Sequence, residues 1–169
     1  MPLRILHHRP GFISDRTELK CVSNHPLPGR CAVKNYYIGV EFTNGMDRLE
    51  FQPTQKTPLV LLDPSGKIQF RGRSIPEDVS LFYEDILDWI IAYCSSPASL
   101  TEVRVEMEYL NSGTSKYMLR ILKKLKEVER DGFELKIKWV YEEGDDDILE
   151  RGEYYASILD LKIEFVEVE

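Results

Sequence analysis

Residues 109–116, Tyr-Leu-Asn-Ser-Gly-Thr-Ser-Lys, crowd three hydroxyls (Ser112, Thr114 and Ser115) around one glycine, Gly113. A strand-like alternating run precedes them and an amphipathic helical run follows, so the hydroxyls fall where a strand hands over to a helix. The first N–H groups of a helix lack internal partners and sit at the positive end of its dipole, where a phosphate on a side-chain oxygen is well accommodated. The same residue types are also what ordinary capping requires. Taken alone, the segment is open to both readings: a phosphoacceptor loop or a helix cap.

The flanking residues bear on that choice. Asn111 or Ser112 is expected to cap the helix. A phosphate on Ser112 would add about −1.5 to −2 charges and strong acceptor oxygens. Lys116 lies four residues on, and helical side chains lean toward the N-terminus, so its ammonium can approach that phosphate. Arg120 and Lys124 continue the basic stripe.

Other chemistries are harder to house. The three histidines (His7, His8, His25) and two of the three cysteines (Cys21, Cys31) all precede residue 46; beyond it only Cys94 remains. A Cys–His pair, a Ser–His–Asp triad or a His/Cys zinc site therefore cannot be built from residues 46–169. Cys21, His25 and Cys31 follow no recognisable zinc spacing. The carboxylates Glu142, Glu143, Asp145, Asp146 and Asp147 could be posed as a magnesium or calcium site for a metal-assisted hydrolase, or as a contact for a basic partner. They lack the calcium-loop spacing, and acids at a helix start are favoured by the dipole anyway. Asp63 and Glu77 could be posed as an acid–base pair. Asp63 is better placed to start the Pro64-Ser65-Gly66 turn, and Glu77 to close a Ser74-x-x-Glu77 capping box. No cofactor is expected.

The chain has 169 residues, 43% hydrophobic and 30% charged, enough for one domain with a real core. Residues 1–45 carry six basic and three acidic residues, whereas 46–169 carry 16 and 26, a net of −10. An acidic domain repels nucleic acid and anionic lipid, so a protein partner is the easier expectation. No apolar run approaches the roughly 20 residues that span a bilayer, and three cysteines make no disulfide framework. A cytoplasmic location is expected.

Residues 1–45 are punctuated by Pro26, Pro28 and Gly29 and show no helical period; Tyr36–Phe42 could be a strand. This stretch reads as an N-terminal extension, disordered or not natively translated, ahead of a domain over 46–169. From Met46 the pattern sharpens. Pro58–Asp63 and Lys67–Gly72 predict a hairpin-like pair. A helix is expected from the Ser74–Glu77 box to about Cys94, with Val79, Phe82, Ile86, Trp89, Ile90 and Tyr93 facing the core. Thr101–Tyr109 alternates, which predicts a strand with Val103, Val105, Met107 and Tyr109 on its buried face. A second helix is expected from about Gly113 to Asp131, burying Met118, Ile121, Leu122, Leu125 and Val128. A strand over Glu134–Tyr141, a helix over Asp145–Leu159 and a strand over Ile163–Val168 follow. Trp89 and Trp139 are expected in the core, and so are Tyr83, Tyr109 and Tyr117, the alternative for these three being the surface near the 111–116 loop. Alternating strands and helices predict an α/β fold: a mixed, partly parallel sheet with three helices packed on it.

Several runs point one way together: Thr57-Pro58 before a strand ending in Asp63-Pro64, Gly72–Glu77, Phe82-Tyr83, Asp88-Trp89, Glu108–Ser112, Lys116, and Trp139-Val140-Tyr141 before an acidic stretch. In order along residues 47–169, they resemble the SiaC family of bacterial regulatory phosphoproteins. The resemblance implies a layout like the STAS-type anti-sigma-factor antagonists and a partner-switching, non-enzymatic role in signal transduction. A cognate Ser/Thr kinase would modify one hydroxyl, a PP2C-like phosphatase would reverse it, and the unphosphorylated form would bind a target such as a diguanylate cyclase, linking it to cyclic di-GMP signalling. The family loop commonly reads Asn-Thr-Ser-Ser before a lysine; here it reads Asn111-Ser112-Gly113-Thr114-Ser115-Lys116. The family's threonine maps onto Ser112, with Thr114 and Ser115 as alternatives, and Gly113 replaces a serine. The competing expectation is a constitutive protein-interaction domain whose loop is only a cap.

Overall fold

The structure, a computed structural model, describes residues 46–169. The expectations placed earlier in the chain (the extension, the Tyr36–Phe42 strand, the Cys21/His25/Cys31 group) lie outside the described residues.

The elements run β1 (Leu49–Phe51), β2 (Leu59–Asp63), β3 (Lys67–Ser74), α1 (Val79–Tyr93), β4 (Leu100–Leu110), α2 (Ser112–Arg130), β5 (Glu134–Glu142), α3 (Asp146–Leu159) and β6 (Ile163–Val168). They form one sheet in sequence order, β1 to β6. The first three strands pair antiparallel; β3, β4, β5 and β6 pair parallel. The mixed α/β expectation is met. The hairpin turn is set as expected, with the Ser65 N–H donating to Asp63 Oδ1 at 2.8 Å.

Each parallel crossover steps to the next strand in the same direction. Right-handed crossovers that never reverse put their helices on one face. The burial pattern agrees. Val60, Phe70, Val105 and Trp139 form one paired row across the sheet, all at 0% exposure, and Leu62, Ile68, Val103 and Ile137 form the parallel row beside it. These rows meet the apolar stripes of α1 (Ile86, Ile90, Tyr93) and α2 (Met118, Ile121, Leu122, Leu125, Val128), all buried. The opposite sheet face is polar and laced with ion pairs, such as Arg71–Glu106 at 3.3 Å and Arg104–Glu106 at 2.9 Å. Between α3 and the sheet the contact is close: a Cβ on Gly152 would fall 2.8 Å from both Trp139 and Phe165 ring atoms. The missing side chain lets Trp139 sit beneath the helix, its indole N–H donating to the Ile148 carbonyl at 2.9 Å.

Three expectations are corrected. First, β1 was not foreseen; three residues are too short to show a period. Second, the Ser74–Glu77 capping box does not form. Ser74 is still in β3, paired with Leu110, and α1 starts later, capped by Asp78, whose carboxylate accepts the Leu81 N–H at 2.9 Å. Glu77 instead pairs with Lys56, which holds its carboxyl below the usual range. Third, Tyr109 faces outward, 49% exposed, while Leu110 turns in. The pairing jumps from Gly72–Met107 to Arg73–Tyr109, so Glu108 is an extra residue in β4. One inserted residue flips the faces that follow it.

Candidate functional site

The bulge aims the chain into α2. Leu110 anchors it in the core, and the next residue, Asn111, is extended (φ −74°, ψ 171°) and caps the helix. Asn111 is held at its side-chain oxygen and at both backbone groups. Its Oδ1 accepts the Thr114 N–H at 2.8 Å, its own N–H donates to the Ser74 carbonyl at 3.1 Å, and its carbonyl accepts the Ser115 N–H at 2.9 Å. The capping residue is therefore Asn111 rather than Ser112, and the helix begins at Ser112, one position before the expected Gly113.

The three hydroxyls have different surroundings. Ser112 is exposed at the first helical position and its hydroxyl bonds to nothing among the described residues. The N–H groups of Ser112 and Gly113 are likewise unbonded among them, as expected of a helix start.

Thr114 is 0% exposed. Its Oγ1 lies 2.9 Å from Ser74 Oγ, which lies 2.9 Å from the Tyr83 hydroxyl, and it donates to the Ser74 carbonyl at 3.4 Å. One ordering satisfies the set: Tyr83 donates to Ser74, Ser74 to Thr114, and Thr114 to the carbonyl. Burial pushes the Tyr83 phenol up to about 12, against the opposing hydrogen bonds from Ser74 and Thr114. This chain ties β3, α1 and α2 together beneath the helix start.

Ser115 is half-buried and held from two sides. It donates to the Asn111 carbonyl at 3.1 Å and accepts from Arg151 Nη1 at 2.8 Å; its carbonyl accepts the Tyr155 hydroxyl at 3.1 Å. Burial raises the Tyr155 phenol above its ordinary value, opposed by the Ser115 bond and the neighbouring Arg151.

Gly113 has a packing reason. A Cβ there would fall 2.8 Å from Val79 Cγ2, because the starts of α1 and α2 abut. Lys116 is exposed and makes no ion pair among the described residues. Arg120 lies over the Tyr117 ring at 4.9 Å, and Tyr117 donates to Glu84 at 3.1 Å. Tyr83 and Tyr117 stack at 5.5 Å, both buried. Lys124 pairs with Glu127 at 2.5 Å, one turn further along the helix.

The other candidates are kept apart. Asp63 and Glu77 flank opposite ends of β3, an eight-residue strand, which at about 3.3 Å per residue separates them by more than about 20 Å. Of the acids at 142–147, Asp145 caps α3 by accepting the Ile148 N–H at 3.1 Å, and Asp146 and Asp147 lie in its first turn. Among the described residues no group of three or more His, Cys, Asp or Glu is arranged to hold a metal ion. Cys94 is buried, and burial pushes its thiol up to about 11.

Arg151 and Tyr155 carry no assignment from the sequence, and Ser74 and Tyr83 are placed there only as a helix cap and a core residue. Arg151 carries a visible signal, being the one basic residue between Lys138 and Lys162. Its meeting with α2 depends on the crossover geometry and could not be read from spacing.

Fold and site define a class: an α/β domain whose parallel strands feed three helix starts at one sheet edge, with an accessible hydroxyl at the middle one. The described family of SiaC regulatory phosphoproteins matches residues 51–168. The chain belongs to the SiaC family. An uncharacterized protein of Pseudomonas aeruginosa (strain UCBPP-PA14) is 26% identical over 113 residues, 66% of this chain and 90% of that protein. Among solved structures, apo-SiaC from Pseudomonas aeruginosa aligns with TM-score 0.63 and 25% identity, over 73% of this chain and 100% of that one. SiaC in the crystal structure of the diguanylate cyclase SiaD with its activator SiaC, from the same organism, aligns with TM-score 0.66 and 23% identity, over 71% and 99%. At that identity the second likeness speaks for the fold. No helix among the described residues is long and apolar enough to cross a membrane.

Proposed function

We propose that the chain is a non-enzymatic, partner-switching regulator whose binding to a target, a diguanylate cyclase by analogy with the SiaC–SiaD complex, is controlled by phosphate on Ser112. A cognate Ser/Thr kinase would transfer the γ-phosphoryl group of ATP to Ser112 Oγ, which loses its proton as ADP leaves. A PP2C-like phosphatase would return the hydroxyl by water attack at phosphorus, releasing inorganic phosphate.

The observation that carries this reading is the contrast among the hydroxyls: Ser112 is exposed and unbonded among the described residues, while Thr114 is buried in a three-hydroxyl chain and Ser115 is held by Arg151. Exposed Leu81 and Tyr109 lie on elements that meet at this edge and suit a protein partner. A dianion with its water shell in such an interface opposes association by desolvation and charge repulsion without any change of fold. The sheet supports a surface role as well. Among the described residues its strand order never reverses, so these strands form no switch-point crevice of the kind in which open α/β sheets bind small ligands.

The test is binding by calorimetry to the cyclase target. Ser112→Ala is expected to bind as the unmodified chain does, and Ser112→Asp to lose binding. Equal binding by the two variants would refute the switch and leave a constitutive interaction domain.

A further inference from the structure

Arg151 of α3 donates from Nη1 to Ser115 Oγ at 2.8 Å. It is half-buried, and it makes no ion pair with a carboxylate among the described residues despite lying in an acid-rich helix. A guanidinium offers five N–H donors in a planar fork that matches an oxyanion better than a neutral hydroxyl. Ser112 precedes Ser115 by three residues, so the two share one face of α2 with about 5–6 Å between their Cβ atoms. Lys116, four residues after Ser112, borders the same face on the other side.

We propose that Arg151 is the residue that receives the phosphate of modified Ser112, turning from the Ser115 hydroxyl to the phosphoryl oxygens one turn upstream and so tying α3 to the start of α2. This rests on the Ser112 reading above and adds the acceptor for its charge. The exchange replaces a hydrogen bond to a neutral oxygen with a charge-assisted, two-pronged one. Ser115 keeps its bond to the Asn111 carbonyl, so the exchange strands no donor of the serine. The charged and titratable groups on the elements packed there are Lys116 and Arg120 of α2, Asp147, Arg151 and Tyr155 of α3, and Asp78 and Glu84 of α1. The last two are already occupied by the Leu81 N–H and the Tyr117 hydroxyl. The modified state would differ from the unmodified one by this side-chain exchange and by added rigidity between α2 and α3.

The experiment uses the full chain with phosphoserine genetically encoded at position 112, and reads the phosphate by phosphorus NMR titration. With two cations beside it, the monoanion-to-dianion midpoint is expected about one pH unit below the value of about 6 for a free phosphomonoester. Arg151→Gln is expected to return at least half of that displacement, and Lys116→Gln less. A midpoint unchanged by Arg151→Gln would overturn the proposal. If that variant does not fold, the side-chain N–H resonances of Arg151 in the unsubstituted chain decide. They are expected to move downfield on phosphorylation, and unmoved resonances would overturn the proposal. Encoded phosphoserine needs no kinase. A kinase that ignores Ser112 therefore sinks the functional reading alone, and an indifferent titration sinks this one alone.

Discussion

Two helix starts lie side by side at the same sheet edge and are built alike in geometry but not in charge. At α2, Asn111 Oδ1 accepts the N–H three residues on at 2.8 Å; at α3, Asp145 Oδ1 does the same at 3.1 Å. The first turn of α3 adds Asp146 and Asp147, so its dipole already faces three carboxylates. The first turn of α2 holds no acid and a neutral cap, with Lys116 and Arg151 close by. One end has satisfied its own preference for negative charge, and the other has left it unmet. Capping therefore accounts for both geometries but not for the difference. A start that lacks negative charge, carries an exposed hydroxyl and has Lys116 and Arg151 close by is what the proposed phosphorylation of Ser112 would use.

The comparison can be broken most sharply at the hydroxyl. Ser112→Asp is expected to weaken target binding by about 30-fold or more, because a desolvated, mismatched charge costs about 2–5 kcal/mol at an interface. A serine-to-aspartate change in the first turn of α3, Ser157 being at its far end, has no counterpart. There Asp146→Asn and Asp147→Asn together are expected to leave binding unchanged.

What lies under each start differs too. Beneath α3, Trp139 fills the space left by Gly152, and Gly152→Ala is expected to lower unfolding stability by about 1–3 kcal/mol through overpacking, measured by urea titration. Beneath α2 the support is the Tyr83–Ser74–Thr114 chain, which titrates. The folded Tyr83 phenol is raised to about 12 from 10.0. The unfolded chain releases that proton first, so the stabilisation is whole below pH 10 and is lost as pH rises toward 12. A loss of about 2 kcal/mol over that window is expected, and Tyr83→Phe is expected to flatten it.

The smallest effects are expected at the caps themselves. Asn111→Ala and Asp145→Ala should each cost about 1 kcal/mol, since each removes one acceptor from a helix start. Asp145→Ala should lose more of its effect at high salt, because only that cap is charged. Equal salt dependence would remove the electrostatic half of the comparison.

Much of this was legible in the residues. The apolar period of α2 and the alternation of β4 up to Met107 place helix and strand correctly because each buries one face, and burial writes a period into sequence. The loop was legible because hydroxyls and asparagine at a strand-to-helix junction have few other uses. What escaped notice was non-local. The bulge at Glu108 leaves a pattern indistinguishable from plain alternation until the register with β3 is known, which is why Tyr109 was expected inside. Ser74 read as a cap because Ser-x-x-Glu is a local pattern, whereas its real partners, Tyr83 and Thr114, are 9 and 40 residues away. Arg151 is 36 residues from Ser115, and only the α3 crossover brings them together.

The most direct measurement is site mapping. The full chain would be incubated with its cognate kinase and ATP, then digested and sequenced by tandem mass spectrometry beside Ser112→Ala. A single phosphate on Ser112, absent from the variant, is the expected result. Phosphate on Thr114 or Ser115, or undiminished incorporation into Ser112→Ala, would contradict the account.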